Sequence, residues 1–170
     1  LHGMGHSIVS LRPALAPVTC DMTPWRALQG VRLDAKVRLY DGSALIAESC
    51  GNLIFTSWGL NGPAVMDLSH HISARPNGRL RLELNPLFAS EEALRALLRE
   101  KRRSSTPLRV LLGATLPPKL PPVVIQMAGF APDVQVNEIP EQALPYLFAL
   151  LTALPFTVTG TRGFEFCQVS

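Results

Sequence analysis

The sequence is poor in the residues that most often announce a chemical site. Its three cysteines, Cys20, Cys50 and Cys167, lie far apart and form no CxxC pair, which excludes a zinc-knuckle spacing and a vicinal redox dithiol. An odd count without metal spacing implies reduced thiols and a cytoplasmic setting, with the cysteines serving as packing residues. Aromatic residues make up only 6% of the chain, too few to interleave basic residues as base-stacking platforms. Charged residues are 17% and the net charge is +3, a mild balance that permits an acidic partner without requiring one. The longest apolar run, Tyr146 to Phe156, is about half the roughly 20 residues of a membrane helix and contains Thr152 and Pro155. No basic-then-apolar leader is visible, so a signal peptide is not expected.

Motifs of catalysis are also missing. His2 and His6 are four apart, but Gly3 and Gly5 lie between them and no glutamate follows His2, so the HExxH pattern is absent and a loop is expected. His70 and His71 are neighbours that would point in different directions from a helix, as a surface pair. Gly3-Met4-Gly5 lacks the third glycine and the preceding strand of a dinucleotide fingerprint. There is no P-loop, no Ser-His-Asp arrangement and no defensible pair of catalytic carboxylates. No metal site is expected, and no catalytic residue can be named.

What is present is a folding pattern. With 170 residues and 47% hydrophobic content, the chain can bury one core, or two small lobes that share one. Ser7 to Arg12 alternates like a half-buried strand, and Ala14 to Thr19 reads as a second extended piece. Asp21 to Gln29 has no clear period. Arg32 to Tyr40 is the clearest strand, with Leu33, Ala35, Val37 and Leu39 on one face. Asp41-Gly42 then signals a hairpin into a returning strand, Ala44 to Ser49. Gly51-Asn52 is expected to turn, and Leu53 to Thr56 to extend again. Arg75 to Gly78 reads as a loop, followed by a strand from Arg79 to Leu84.

From residue 86 the period changes from 2 to 3.6. Ser90 is a candidate N-cap, Glu91 and Glu92 suit the first turn, and Lys101, Arg102 and Arg103 suit the last. Thr106-Pro107 opens a second helix. Pro117, Pro118, Pro121 and Pro122 interrupt before a short apolar segment, Val123 to Ala128, and Pro140 opens a last helix that Pro155 stops. Phe156 to Thr159 is β-branched strand, Gly160 to Gly163 is read as a turn, and Phe164 to Val169 as extended. The expected architecture is α+β: a small antiparallel β-barrel interrupted by a helical subdomain. Residues 1–85 would hold the main barrel portion with one short helix, residues 86–155 the helical subdomain, and residues 156–170 the returning strands.

The stretch Asn52 to Met66 links the two kinds of structure. A strand runs into a turn containing Gly59 and Gly62, and Pro63 opens a helix, where its missing N–H costs nothing. Such a helix start offers amide donors to an anionic group, or it is a plain corner with no ligand. The run Arg99 to Arg103, together with Arg79 and Arg81, could bind phosphates, or it is a solvated helix end.

Three segments together resemble one family. Gly5 to Pro17 is similar to a GHxIxxLRPALxPL segment, Gly51 to Leu68 to GExLFTHxGLSGPAxLxLS, and Phe156 to Val169 to LTVTGTRGFxxAQVTAGGV. These segments resemble the BaiN-like bacterial NAD(P)/FAD-dependent flavoproteins, which include aminoacetone-oxidase-like and YhiN/RdsA proteins. The matches fall in the family's order across essentially the whole chain. The resemblance implies a translation-factor-like barrel with a helical subdomain, inserted into a two-part FAD-binding domain. It implies that this chain is a piece of a longer polypeptide and covers the flavin of an oxidoreductase as a cap that shapes the substrate pocket. FAD would then be held mainly by residues outside the chain, with NAD(P)H as a possible second cofactor. The chain alone would bind no FAD and be inactive.

On that resemblance Trp58, Gly59, Leu60, Asn61, Gly62 and Pro63, with Thr159, Gly160, Thr161 and Arg162, would face the FAD domain as backbone donors and a cationic group. Asn61 stands where the family usually has serine, and Ser57-Trp58 replaces a commoner His-x. The expected partners are the FAD-binding domain of the same protein and a small-molecule or RNA substrate, with no membrane. The alternative reading is a stand-alone barrel that binds RNA or protein through the basic patch.

Overall fold

Alternation of apolar and polar residues along 32–41 forces one face of that segment inward, and the barrel is built around it. The computed structural model of the protein describes residues 11–168. Among these residues the strands are β1 (Val18–Cys20), β2 (Arg32–Asp41), β3 (Ala44–Phe55), β4 (Gly59–Asn61), β5 (Leu80–Asn85) and β6 (Leu154–Thr161). They close into an antiparallel barrel in the order β1–β4–β3–β2–β5–β6, with β6 pairing back onto β1. The expected fold class, a small antiparallel barrel with helices, is the observed one.

The inward residues Leu33, Ala35, Val37 and Leu39 of β2 are buried, as the alternation required. The Asp41-Gly42 hairpin joins β2 to β3. Inside the barrel Trp25, carried by a 3₁₀ segment at Thr23–Leu28, stacks on Phe156 of β6 with ring centroids 4.6 Å apart. Phe55 of β3 closes on the same ring at 5.8 Å. Ring pairs of this kind add specificity to what area burial alone would give.

After β4 come α1 (Pro63–Met66) and α2 (Ser69–Ser73). Between β5 and β6 lie α3 (Glu91–Glu100), α4 (Leu108–Leu112), α5 (Leu120–Met127) and α6 (Leu144–Thr152). Leu94 and Leu98 of α3, Leu108, Leu111 and Leu112 of α4, and Leu147, Phe148 and Leu151 of α6 are buried, and they join the barrel residues in one hydrophobic core.

Several local expectations are corrected. Gly51-Asn52 does not turn: both residues are paired within β3, opposite Ala35 and Asp34, so the strand is continuous across the glycine. The segment read as a glycine turn is a strand, β4, because Leu60 pairs with both Val18 and Phe55. The single helix expected from Pro63 is two short helices. Ser90 is the N-cap of α3 by position, but its side chain makes no cap hydrogen bond. Pro121 and Pro122 fall in the first turn of α5, where their lost N–H groups have no intrahelical acceptor anyway. Pro155 lies inside β6 opposite Glu83, after α6 has already ended at Thr152. Gly160 and Thr161 belong to β6, and 164–166 form a turn where an extended segment was expected. His70 and His71 do not diverge: their rings lie 3.9 Å apart. The strand read at Ser7 to Arg12 and the His2/His6 loop fall largely outside the described residues. No helix among the described residues is long and apolar enough to cross a membrane.

Candidate functional site

The two segments singled out by resemblance, residues 58–63 and 159–162, are a hundred residues apart in sequence. They meet across one short strand. β1 lies between β4 and β6, with Thr19 opposite Gly59 on one side and Gly160 on the other, and Val18 opposite Leu60 and Thr161. The Thr159 hydroxyl donates to the Thr19 hydroxyl at 3.0 Å.

The segment leading into β1 is anchored at several points. The Ala16 N–H donates to the hydroxyl of Ser69, a fully buried polar side chain, and the Ser73 hydroxyl donates to the Pro13 carbonyl. Leu15 takes a positive φ of 49° on the way in, and its carbonyl accepts the Gln168 N–H. A non-glycine residue in that region is unusual and persists only where surrounding contacts hold it.

The glycines of the segment have a structural reason. A Cβ on Gly59 would lie 2.1 Å from the Val18 carbonyl oxygen, and one on Gly62 would lie 2.8 Å from that of Asn52. Both positions also have positive φ, 156° and 108°. The helix start at Pro63 has little left to offer a ligand. The Gly62 N–H donates to Asn61 Oδ1, and the Val65 and Met66 N–H groups donate to the Gly62 carbonyl. Leu60 is fully buried, so its side chain belongs to the core.

Chemistry therefore concentrates on side chains at the outer rim. The Arg162 guanidinium lies over the Trp58 ring at 4.8 Å from its centroid and over the Phe166 ring at 4.0 Å. The Arg162 backbone N–H is tied to the Pro17 carbonyl, just before β1. Cation–π contacts of this kind contribute about 0.5–1 kcal/mol when exposed and about 2 when desolvated. Phe164 and Phe166 are exposed beside it, at 56% and 46%. Sequence reasoning missed Phe166 and Thr19. Phe166 was read as part of an extended tail, and Thr19 only as the end of an extended piece, Ala14 to Thr19.

Nearby Cys20 is not a nucleophile. Burial, with Asp21 adding to it, pushes its thiol up to about 12, so the reactive thiolate is not populated at neutral pH. The Asp21 carboxyl is held below its ordinary range chiefly by accepting the Thr23 N–H at 2.9 Å. No group of three or more metal-ligating side chains occurs among the described residues.

The basic run is partly engaged within the protein. Arg102 donates to the carbonyls of Val136 and Ile139. Lys101 pairs with Glu100 at 2.6 Å, and Arg81 with Glu83 at 2.9 Å. On α3, Arg95 pairs with Glu91 and covers Phe148, beside a groove of about 370 Å³ between α3 and α6.

Comparison with known proteins gives a consistent result. The family model described as "HI0933-like protein barrel and H2TH domain" matches residues 12–169. A 3-dehydro-bile acid delta(4,6)-reductase of Clostridium scindens is 26% identical, over 98% of this chain and 42% of its own length. Ribosomal RNA dihydrouridine synthases of Haemophilus influenzae and Escherichia coli are 27% and 26% identical, over 98% of this chain and 40% of theirs. The chain thus spans about two fifths of the curated relatives it matches.

Proposed function

The chain belongs to the HI0933-like barrel and H2TH family, and from that premise we propose that it is the inserted cap of a FAD-dependent oxidoreductase. The observation that carries this reading is the meeting of 58–63 with 159–162 across β1, which gathers two family-like motifs on one rim of the barrel. The rim would close over a flavin held by residues outside the chain and form one wall of the substrate pocket. In such an enzyme the flavin supplies the redox chemistry, and the protein supplies orientation, electrostatics and exclusion of water. The rim has groups for those tasks: a guanidinium held over two rings, and the hydroxyls of Thr19 and Thr159.

The reading is tested by purifying the complete polypeptide that contains these residues. It is expected to be yellow, with flavin absorbance that survives dialysis. A folded but colourless preparation that takes up no FAD would count against it. The 170 residues alone are expected to bind no FAD, and tight flavin binding by them would overturn the assignment of the cofactor to other parts of the protein.

Ribosomal RNA as the substrate is a second reading, favoured by the ribosomal RNA dihydrouridine synthases among the relatives. Arg99 and Arg103 are exposed and make no salt bridge among the described residues, so they could contact phosphates. An RNA contact there predicts salt-sensitive binding of the complete polypeptide to ribosomal RNA, weakened by Arg99→Ala with Arg103→Ala. Binding unchanged by that pair would remove these residues from the RNA reading.

A further inference from the structure

Arg162 is a half-buried cation with no counter-ion among the described residues. Among the described residues no carboxylate forms a salt bridge with it, and its guanidinium donates no hydrogen bond; only its backbone N–H is engaged. Yet the group is not loose. Trp58 and Phe166 hold it from two separate segments, and its backbone is fixed to the strand that joins the two halves of the rim.

Rings that hold a guanidinium by its π-face leave the N–H donors at its edge available. Those donors form a planar fork that matches a carboxylate or phosphate and bonds it through two parallel N–H groups. A lysine ammonium, a point charge, would gain less from both the rings and the planar acceptor. Opposing carboxylates on the adjoining segments are few: Glu165 is exposed in the neighbouring turn and does not pair with Arg162, and Asp21 lies beyond the other end of β1 and accepts the Thr23 N–H. The alternatives elsewhere are weaker. In the groove between α3 and α6, Arg95 is engaged by Glu91 and Arg102 by backbone carbonyls, which leaves Arg99, and the lining includes Glu141, which opposes an anion.

We propose that the edge of the Arg162 guanidinium, steadied by Trp58 and Phe166, is an oxyanion-binding site for a small-molecule carboxylate or phosphate at the capped rim. The inference rests on the rim facing the flavin and names the chemistry of what is bound there. The oxyanion belongs either to the substrate or to the phosphates of the cofactor.

The test uses the complete polypeptide, both FAD-loaded and stripped of FAD. It is titrated with inorganic phosphate and, separately, acetate at ionic strength held constant with chloride, reading the tryptophan fluorescence to which Trp58 contributes. A saturable change is expected beyond the chloride control. It should weaken by at least about tenfold in Arg162→Met, the loss expected for a charge-assisted hydrogen-bonded pair, and by less in Arg162→Lys. A response in both forms assigns the oxyanion to the substrate, and a response in the stripped form alone assigns it to the cofactor. A wild-type titration indistinguishable from chloride overturns the proposal, as does an Arg162→Met protein that responds like wild type. If Arg162→Met fails to fold, the wild-type and Arg162→Lys titrations still decide. A polypeptide that takes up no FAD would sink the cap reading, while the phosphate and acetate titrations would still judge the oxyanion site.

Discussion

Replacing Gly59 by alanine should open the barrel at the seam where the candidate site is built. The added Cβ would lie 2.1 Å from the Val18 carbonyl oxygen, 2.9 Å from Thr19 Cα and 3.0 Å from Cys20 N. All three atoms are backbone, so no side chain can swing away, and β1 or β4 must shift by about 1 Å. That shift strains a tight local network. Thr56 donates its N–H and its hydroxyl to the Gly59 carbonyl at 2.9 and 2.8 Å, and the Cys20 N–H donates to the Trp58 carbonyl at 3.1 Å. Overpacking of this kind costs about 1–3 kcal/mol, and the positive φ of 156° adds to it, so a loss of roughly 3 kcal/mol or more is expected. For a chain of this size each kcal/mol moves Tm by about 2–4 °C, giving a fall of roughly 10 °C. Gly30→Ala is the matched control. Gly30 also has a positive φ, 83°, but a Cβ there meets nothing within 4 Å, so only the backbone cost of about 1–2 kcal/mol applies. Calorimetry of the two variants beside wild type decides: if Gly59→Ala melts no lower than Gly30→Ala, the seam is not held as described.

Phe156→Ala removes the ring shared by Trp25 and Phe55 and should cost about 3–5 kcal/mol in urea unfolding; a loss under about 1 kcal/mol would refute the shared-ring core. Arg102→Ala should cost about 2 kcal/mol, because two carbonyls lose a charged donor, and Arg102→Lys should recover part of it. In native protein a thiol reagent should label Cys50 and Cys167 but reach Cys20 only after unfolding; equal labelling of all three would contradict the burial of Cys20. The raised Cys20 thiol also sets a pH window. Its contribution is complete below the unfolded value of 9.0 and is lost as pH rises toward about 12, by up to about 1.4 kcal/mol per pH unit, so Cys20→Ala should flatten the alkaline fall in stability.

The strands that sequence revealed are those with long, one-sided burial. β2 and β5 alternate over enough residues for the pattern to exceed chance, and their inward leucines and valines are the buried ones. The pieces it concealed are short or defined by pairing. β4 has three residues, two of them buried, so it shows no alternation and its glycine reads as a turn. Gly51, paired within continuous β3, was read as a break, because a glycine inside a strand looks the same in sequence as one that ends it. The stacked His70 and His71 rings likewise depend on local side-chain geometry, which the helical period does not encode.

The candidate site was legible in a different way, through motifs whose purpose the local sequence could not supply. Gly59 and Gly62 attract attention as a ligand loop, yet both are required by the approach of neighbouring backbone, with or without a ligand. A stronger functional argument comes from a residue that the fold does not fully use. Folding fixes Arg162 through its backbone and two rings but provides no charged partner among the described residues, although half-burial makes an unpaired cation costly. That imbalance points outward from the barrel, on the rim where β1 brings 58–63 and 159–162 together. A strand of only three residues is therefore the element on which the geometry of the site depends.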